Sequence, residues 1–450
     1  MMTILPVNEL VERKDWETLR ERLLTIPSPE VAEILVNLSK ADRILVFHLF
    51  SPPQSVEVFS YLDKEFQDSL LSELTDEQAR QLLAKLQPDD RTVLLEGLPK
   101  HTVSRILNLL SPQDLQEARQ LLGYPKESVG RLMTPDYIAV LPGWSIEQSL
   151  VHIRKRGTGL ETIGVIYVTD VNWKLLDALE LDRFVLANPL DRVEQIMDKS
   201  FVALYPQEDR EEAVRKMQKY DLLALPVINE KGILLGVVTA DDVLDVAADE
   251  ATEDIQKSGA VEPLKVSYRE SGVWALYQKR IPWLMALMFV NLGASGVIAM
   301  YEETLASAMA LTFFIPLLMG SGGNTGSQSA TLMVRALATE DFKGSQWVNA
   351  LFKEIVVGMT LGVTLGIGVG LIGTLEGEML IGIAVGLAMG AIVLVSNLLG
   401  VLFPIVLTKL RIDPAVASSP MVTSTTDVTS LLLYFSIATL ILGSLDGVGI

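Results

Sequence analysis

Two uninterrupted apolar stretches decide the fold: residues 355–375, IVVGMTLGVTLGIGVGLIGTL, and residues 379–407, MLIGIAVGLAMGAIVLVSNLLGVLFPIVL. Each lacks charged side chains and is long enough to cross about 30 Å of hydrocarbon as an α-helix. Three further stretches of this kind lie at about 282–300, 305–334 and 421–443. The sequence therefore predicts a membrane domain of five helices over residues 281–450.

The charged residues divide the chain into two parts at Arg280. Residues 1–280 carry 32 Lys and Arg against 46 Asp and Glu, whereas residues 281–450 carry 5 against 10. The first part is typical of a soluble protein and the second of a membrane domain within a lipid bilayer. The net charge of −19 argues against nucleic acid as a partner, because phosphates need a basic surface, but it is compatible with cations.

Composition also limits the chemistry. Cysteine is absent, and the three histidines, His48, His101 and His152, are scattered along the chain. Thiol catalysis, disulfides and zinc sites are therefore excluded, and a bound metal would be a hard cation held by oxygen. No set of nucleophile, base and acid and no phosphate-binding loop is evident, so an enzyme is the least favoured class. The charged first 25 residues predict no cleavable signal peptide.

The basic residues that flank the apolar stretches all fall on the side of the soluble part: Lys279, Arg280, Arg335, Lys343, Lys353, Lys409 and Arg411. By the positive-inside rule, we expect a multi-pass protein of the cell membrane with its N-terminus in the cytoplasm and its C-terminus outside.

Glycines four residues apart mark both of the quoted stretches, at Gly362, Gly366 and Gly370 and at Gly382, Gly386 and Gly390. This spacing predicts close helix packing. Residues 368–373 also match the dinucleotide pattern GxGxxG by letter, but that pattern needs a strand-turn-helix unit in water and has no weight here.

Two internal repeats organise the soluble part. From Ile26 to Leu110 an apolar residue followed by a turn recurs every twelve residues, and Ser, Thr, Asp or Pro at most turns can start a helix. This repeat predicts an α-helical solenoid over residues 1–127. A second repeat places Leu132-Met133 and Ile196-Met197 64 residues apart and predicts two α/β domains, at 128–195 and 196–247. A linker helix at 248–280 would follow.

The second α/β copy resembles a CBS domain. The resemblance is carried by the run Gly236-Val-Val-Thr239-Ala-Asp241-Asp242, which ends a strand-strand-helix pattern. Paired CBS domains are regulatory modules in other proteins, so this part of the chain suggests sensing.

Asp427 is the residue most difficult to explain structurally, because it lies about two turns into the fifth apolar stretch. A carboxylate at that depth costs several kcal/mol unless it faces water, a cation or a partner, and such residues usually mark an ion path. The alternative is a bond to neighbouring hydroxyls or to a distant arginine. No basic residue lies at a similar depth in any stretch, so a bound cation is the simplest neutraliser.

A polar run, Gly320-Ser-Gly-Gly-Asn-Thr-Gly-Ser-Gln-Ser329, interrupts the second apolar stretch after Pro316. We expect Gly and Pro to loosen or break the helix there and to expose backbone carbonyls to a cavity. Gly323, Asn324 and Gln328 are the candidate pore-lining residues. The alternative is a polar contact between helices.

One carboxylate with many neutral oxygens suits Mg²⁺, which gives up its water reluctantly and prefers octahedral oxygen ligands. An acidic cluster precedes the membrane domain, with seven carboxylates at Asp241, Asp242, Asp245, Asp249, Glu250, Glu253 and Asp254. This cluster is either a solvated helix face or a cation sensor in which Mg²⁺ neutralises mutual repulsion.

The complete order of segments resembles the MgtE family of magnesium channels. The match is carried by the solenoid, the CBS pair, the linker and the motifs GSGGNTGSQSATLMVRALATED and RIDPAVASSPMVTSTTDVTS. The resemblance implies a homodimer with a pore between protomers, Asp427 as the pore carboxylate, and closure by cytosolic Mg²⁺. By matching position it implies these sensor ligands: Glu57, Asp89, Asp209, Glu211, Asp221, Asp242, Asp245, Glu250, Glu253, Asp254 and, near the inner mouth, Asp413.

The chain departs from the family pattern at two places. Val93 stands where an acidic residue often lies one turn beyond Asp89, which implies a weaker contribution of the solenoid to sensing. Some members bind ATP at the CBS pair with an aromatic residue where this chain has Val165 and an Arg-Asp pair where it has Asp182-Arg183. The sequence therefore leaves ATP binding by this chain undecided.

The sequence as a whole predicts a passive, dimeric Mg²⁺ channel that imports the ion and that its own cytosolic domains close. Two alternatives remain. An exchanger could use Asp427 for H⁺ or Na⁺, and its flux would depend on a counter-ion gradient. A membrane-anchored receptor would explain the CBS pair but not an unpaired carboxylate in a membrane helix.

Overall fold

The computed structural model describes residues 4–158, 160, 162–264, 268, 271–338, 346–376 and 379–446. Lys343, which contributes to the predicted orientation, lies outside the described residues. The chain forms two compact units, Met1–Asp249 and Glu250–Ile450.

The described part of the first unit opens with a helical solenoid. Its helices are α1 Ile4–Glu12, α2 Trp16–Leu23, α3 Ser28–Asn37, α4 Lys40–Phe47, α5 Pro52–Ser60, α6 Lys64–Glu73, α7 Asp76–Leu83, α8 Pro88–Gly97, α9 Lys100–Leu109 and α10 Pro112–Leu122. The side chains of Ser39, Thr75 and Ser111 cap α4, α7 and α10, as the turn residues predict. Helix α5 packs on α3 and on α7, and buried aliphatic side chains form a continuous core. The predicted solenoid is confirmed.

Two α/β copies follow the solenoid. The first contains α11 Val129–Leu132, β1 Ala139–Val140, α12 Ile146–Arg156, β2 Val165–Thr169, β3 Leu175–Glu180 and α13 Leu181–Leu186; the second contains α14 Val193–Ile196, α15 Arg210–Tyr220, β4 Ala224–Ile228, β5 Leu234–Thr239 and the start of α16 Ala240–Ser258. Strands β2 and β3 pair antiparallel, as do β4 and β5, while β1 lies parallel to β2. The strand-strand-helix pattern therefore recurs, as the second repeat predicts.

Helix α16 runs without a break across residues 247 and 248, where the sequence predicts the start of the linker. It ends at Ser258, and the next helix begins at Val273, with Pro263 between them. The predicted linker of residues 248–280 thus contains the end of α16 and the start of the next helix, and the described residues 259–264 between them are not helical.

The second unit contains the long apolar helices. They are α17 Val273–Met300, α19 Leu311–Ala338, α20 Gln346–Glu376, α21 Met379–Lys409 and α22 Ser419–Asp446, with the short α18 Glu302–Ser307 and a 3₁₀ turn at Pro414–Val416. Among the described residues, four of these helices are apolar and long enough to span a membrane: α17, α20, α21 and α22. Helix α19 matches α17 in length at 28 residues but carries the polar run. The five-span prediction therefore depends on α19.

Helix α21 is the central helix of this unit and packs against α19, α20 and α22. Its glycines face those of α20 so closely that a Cβ on Gly366 would lie 2.6 Å from the carbonyl oxygen of Gly386. Gly362 opposes Gly390 and Gly370 opposes Gly382 in the same way. The close packing predicted from the glycine spacing is confirmed.

The polar run of α19 is helical throughout, so the expected break at Gly320–Ser329 is wrong. Gly322, Gly323 and Gly326 are buried where α19 meets α21 and α22. The run stays helical because a continuous helix satisfies its own backbone hydrogen bonds in an apolar medium, which an open loop would not. Its glycines instead allow α21 and α22 to approach closely.

Candidate ion path and acidic clusters

Asp427 lies eight residues into α22, about 12 Å from the start of that helix. Its side chain is partly buried, and among the described residues no group forms an ion pair or a hydrogen bond with it. Two of the neighbouring hydroxyls along the helix are engaged elsewhere. Thr425 donates to the carbonyl oxygen of Met421 at 2.9 Å, and Thr429 donates to that of Thr425 at 3.0 Å. The alternative in which neighbouring hydroxyls neutralise Asp427 is therefore not seen.

The candidate pore-lining residues of α19 divide between two faces. Asn324 and Gln328 are exposed and lie one turn apart, whereas Gly323 is buried against Thr423 of α22. Ser327 joins α19 to α22 through hydrogen bonds with the Thr423 hydroxyl at 3.0 Å and the Ser419 hydroxyl at 3.0 Å. Asn324 and Gln328 remain the better candidates for a polar path in this chain.

The first unit holds a cluster of carboxylates where α8 of the solenoid approaches α16. Its members, Asp90, Asp241, Asp242 and Asp245, interact electrostatically, and we call it the α8–α16 cluster. Burial, and then repulsion from the other three carboxylates, raises the pKa of Asp242 to about 7, while a 2.7 Å hydrogen bond from Thr239 acts in the opposite direction. Burial likewise raises the pKa values of Asp90 and Asp245. A cation would relieve this repulsion.

Sequence reasoning missed Asp90. It selected Asp89, but Asp89 is buried at 2% exposure, while the adjacent Asp90 lies beside Asp241 and Asp245. Neighbouring residues of a helix point about 100° apart, so Asp89 and Asp90 face different directions. The helical periodicity of α8 is the sequence signal that distinguishes them. Val93, one turn beyond Asp89, is exposed, so Asp90 supplies the acidic group that the solenoid brings towards α16.

A second cluster lies in the second unit, at the end of α16. The ammonium nitrogen of Lys257 is 2.6 Å from Glu253 and 2.5 Å from Asp413. Asp413 also caps the 3₁₀ turn by accepting the N–H of Ala415 at 2.8 Å. Burial, and then repulsion from Asp413, raises the pKa of Asp254. Although burial acts against it, hydrogen bonds to Asp413 and Glu253 raise the pKa of Lys257. We call Glu253, Asp254, Lys257 and Asp413 the linker cluster.

The other predicted sensor residues are dispersed over the described first unit, except Glu250, which begins the second. Glu57 is exposed on α5. Asp209 caps α15 by accepting the N–H of Glu211 at 2.9 Å, and Asp221 ends the same helix with a left-handed φ of 52°. Glu211 lies 3.6 Å from Arg215. Glu250 lies on α16 between the two clusters in sequence. Within the described residues, no group of three or more acidic or histidine side chains has the spacing of a metal site.

The positions at which other family members bind ATP are Val165, Asp182 and Arg183 in this chain, and one of them forms an ion pair. Val165 begins β2, and Asp182 lies in the first turn of α13. Arg183 forms an ion pair with Asp198 at 2.7 Å. The basic group next to Asp182 therefore already has a carboxylate partner.

Comparison with known proteins gives a consistent result along the chain. A family described as divalent cation transporter matches residues 315–437, one described as MgtE intracellular N domain matches residues 26–127, and the CBS domain matches residues 193–249. The CBS match covers the second copy, which the sequence also marks as the clearer one.

The chain is 38% identical to the magnesium transporter MgtE of Thermus thermophilus over 439 residues, which cover 97% of this chain and 98% of that protein. It is 29% identical to the magnesium transporter MgtE of Bacillus subtilis, with 92% of each chain covered. Among solved structures, the cytosolic domain of the Mg²⁺ channel MgtE in complex with ATP matches with a TM-score of 0.52 and 34% identity, over 54% of this chain and 99% of that one.

Proposed function

The chain belongs to the MgtE family of magnesium transporters, and from this we propose that it is a homodimeric Mg²⁺ channel that imports the ion and is closed by cytosolic Mg²⁺. Magnesium transport is common to the family, and the long apolar helices suit a multi-pass membrane protein. The channel mechanism, the direction of flux, the closure and the dimer are our proposals. The N-terminus would lie in the cytoplasm and the C-terminus outside.

Asp427 carries the proposal. It is the carboxylate of α22 that has no partner among the described residues, and Mg²⁺ is the ion whose charge would compensate it. A single carboxylate among neutral oxygens can hold a hydrated Mg²⁺ without removing its water. The negative membrane potential would drive the ion inwards.

The exposed polar residues of α19 favour a second copy of the chain. Asn324 and Gln328 lie at mid-helix, where an amide facing lipid would lose its hydrogen bonds. A water-filled path between two protomers would supply partners for both amides and for Asp427. Neutral oxygens from α19 would then complement the carboxylate of α22.

The two acidic clusters would close the channel. The α8–α16 cluster gathers four carboxylates that repel one another, and the linker cluster adds three around Lys257. Mg²⁺ bound to either cluster would stabilise the arrangement in which the carboxylates lie close together. The other sensor positions implied by the family would add ligands: Glu57, Asp89, Asp209, Glu211, Asp221 and Glu250.

The test is the Mg²⁺ current through the purified protein in a planar bilayer. Mg²⁺ on the side of the soluble domains is stepped while the opposite side is held constant. A current that reverses at the Mg²⁺ equilibrium potential and shuts as Mg²⁺ rises towards millimolar concentrations supports both the pore and the sensor. Flux that depends instead on an H⁺ or Na⁺ gradient would favour an exchanger.

A matched variant separates the sensor from the pore. Replacing Asp242, Asp245, Glu250, Glu253 and Asp254 by their amides should leave a conducting channel that Mg²⁺ no longer closes. Normal closure of this variant would place the sensor elsewhere in the chain.

A further inference from the structure

Three polar side chains from three different helices meet inside the second unit. Ser329 of α19 donates a hydrogen bond to the Oδ1 atom of Asn397 on α21. The Nδ2 atom of Asn397 donates to the backbone oxygen of Glu354 on α20 at 2.7 Å and to the Oε2 atom of the same residue at 2.9 Å. Ser329 and Asn397 are 5% and 2% exposed, whereas Glu354 is half-buried. We call Ser329, Asn397 and Glu354 the relay; its Ser329–Asn397 bond is screened from solvent.

The orientation of the Asn397 amide is fixed by its partners. The two Glu354 oxygens can only accept hydrogen bonds, so they face the Nδ2 atom, and the Oδ1 atom must face the Ser329 hydroxyl. Glu354 therefore determines the direction in which Asn397 holds Ser329. Gly358, one turn after Glu354, packs so close that its Cβ would lie 3.3 Å from Asn397.

The relay residues and Asp427 lie at similar distances from the ends of their helices. Glu354 is eight residues after the start of α20, and Asp427 is eight residues after the start of α22, about 12 Å in each case. Ser329 lies nine residues before the end of α19, about 14 Å. These three helix ends are on the same side, because successive long helices alternate in direction.

A packing contact links the relay to the pore carboxylate. Gly326 lies one turn before Ser329 on α19 and packs against the side chain of Thr426. A Cβ on Gly326 would lie 3.0 Å from the Cγ2 atom of Thr426. On the other side of α19, Gly400, one turn after Asn397, lies against the Gly326 backbone. Thr426 is fully buried and precedes Asp427 directly.

We propose that Glu354 is a positioning residue for the pore carboxylate. Through Asn397 and Ser329 it holds the rotation of α19, Gly326 then seats Thr426, and Thr426 fixes the direction in which Asp427 points. This inference rests on the proposed function of Asp427 and adds a residue that touches no ion. Glu354 lies beside Lys353 at the edge of the third apolar stretch, where sequence reasoning treats charges only as topology markers.

The test compares Glu354→Ala with Glu354→Gln by Mg²⁺ flux in proteoliposomes, normalised to folded protein. The alanine variant removes the charged side-chain acceptor and leaves only the backbone oxygen. We expect the half-saturating Mg²⁺ concentration to rise by about tenfold, the effect of losing one hydrogen bond to a charged group. Glutamine keeps an acceptor oxygen without the charge, so it should restore a value within about threefold of the wild type. Lys353→Gln, at the adjacent exposed position, is the control.

Each other outcome overturns the proposal. A half-saturating concentration that is unchanged in Glu354→Ala, with only the amount of folded protein reduced, would make the relay purely structural. Equal defects in the glutamine and alanine variants would make the negative charge itself the functional group. If Glu354→Ala does not fold, Ser329→Ala tests the same relay, because it leaves the bond between Glu354 and Asn397 intact and should raise the concentration by about threefold.

The same assay separates this inference from the proposed function. Wild-type flux in Asp427→Ala would remove the pore carboxylate itself. Loss of flux in Asp427→Ala together with wild-type behaviour of Glu354→Ala and Ser329→Ala would overturn only the positioning role.

Discussion

Asp427 in the membrane domain and Asp242 in the first unit are both carboxylates in poorly solvated places, but their surroundings differ. Asp427 is a single charge among glycine, threonine and serine, without an ionic partner in the described residues. Asp242 lies among Asp90, Asp241 and Asp245, and burial, followed by their repulsion, raises its pKa to about 7. The first arrangement suits an ion that passes, because one charge binds weakly enough to release it. The second suits an ion that stays, because several charges must be neutralised together.

The largest expected effect is that of Asp427→Ala, which tests whether one carboxylate carries the pore. Mg²⁺ flux into proteoliposomes should fall to background, because no other charge is available on α22 at that depth. Folding should be unchanged, as judged by size-exclusion chromatography in detergent. Glu302→Gln, an exposed carboxylate change in α18, is the control, and flux at the wild-type level in Asp427→Ala would refute the role.

The close contact between α19 and α21 can be tested with Gly400→Ala. A Cβ at this position would collide with the carbonyl oxygen of Gly326, so we expect a loss of about 1–3 kcal/mol in stability. Gly368→Ala in α20 is the matched control, because its Cβ would meet no atom within 4 Å. The measurement is the midpoint of thermal unfolding in detergent. Equal midpoints for the two variants would show that α19 and α21 are not tightly packed there.

The two regions were also predictable to different degrees. Asp427 was found from sequence because a charge in an apolar stretch is conspicuous, and the solenoid was found because its turns recur every twelve residues. The continuity of α19 was not, because Gly and Pro break helices in water, whereas an apolar medium forces the backbone to remain hydrogen-bonded.

Site residues were missed where the outcome depends on tertiary contacts. The sequence marks both Asp89 and Asp90 as acidic, but only the phase of α8 against α16 decides which of them faces the cluster. The proposed role of Glu354 is equally hidden from the sequence, because it depends on a hydrogen bond from Asn397, which lies 43 residues further along the chain. Local patterns do not specify such pairs.

The next prediction sharpens the comparison through pH. Asp242, with a pKa of about 7, is about one-tenth ionised at pH 6 and about nine-tenths at pH 8. Because Mg²⁺ binds the ionised form, the Mg²⁺ concentration that half-closes the channel should fall by about tenfold over this range. Asp242→Asn should flatten the dependence, and the measurement is the bilayer current. An unchanged pH dependence in Asp242→Asn would assign the titration to another group.

The same pKa shift has a consequence for stability without Mg²⁺. The folded state binds the Asp242 proton more tightly than the unfolded chain does, so folding gains stability at low pH and loses it as pH rises from about 4 to about 7. Asp242→Asn removes this loss. Its thermal unfolding midpoint should therefore exceed that of the wild type at pH 8 and approach it at low pH.

The smallest effect is expected in the linker cluster. This cluster is intermediate between the single carboxylate of Asp427 and the α8–α16 cluster, because Lys257 already supplies a positive charge to its carboxylates. Lys257 joins Glu253 of α16 to Asp413 before α22 at 2.6 and 2.5 Å, so it performs part of the bridging that we propose for Mg²⁺ at the α8–α16 cluster. Lys257→Gln should raise the current at zero Mg²⁺ by about two- to fivefold, because a partly exposed ion pair contributes about 0.2–1 kcal/mol. Lys40→Gln, which breaks a 2.8 Å ion pair with Glu73 in the solenoid, is the control. A current equal to that of the control would mean that Lys257 only balances charge. A larger current than in the control would show that the Lys257 ion pairs partly close the channel in the absence of Mg²⁺.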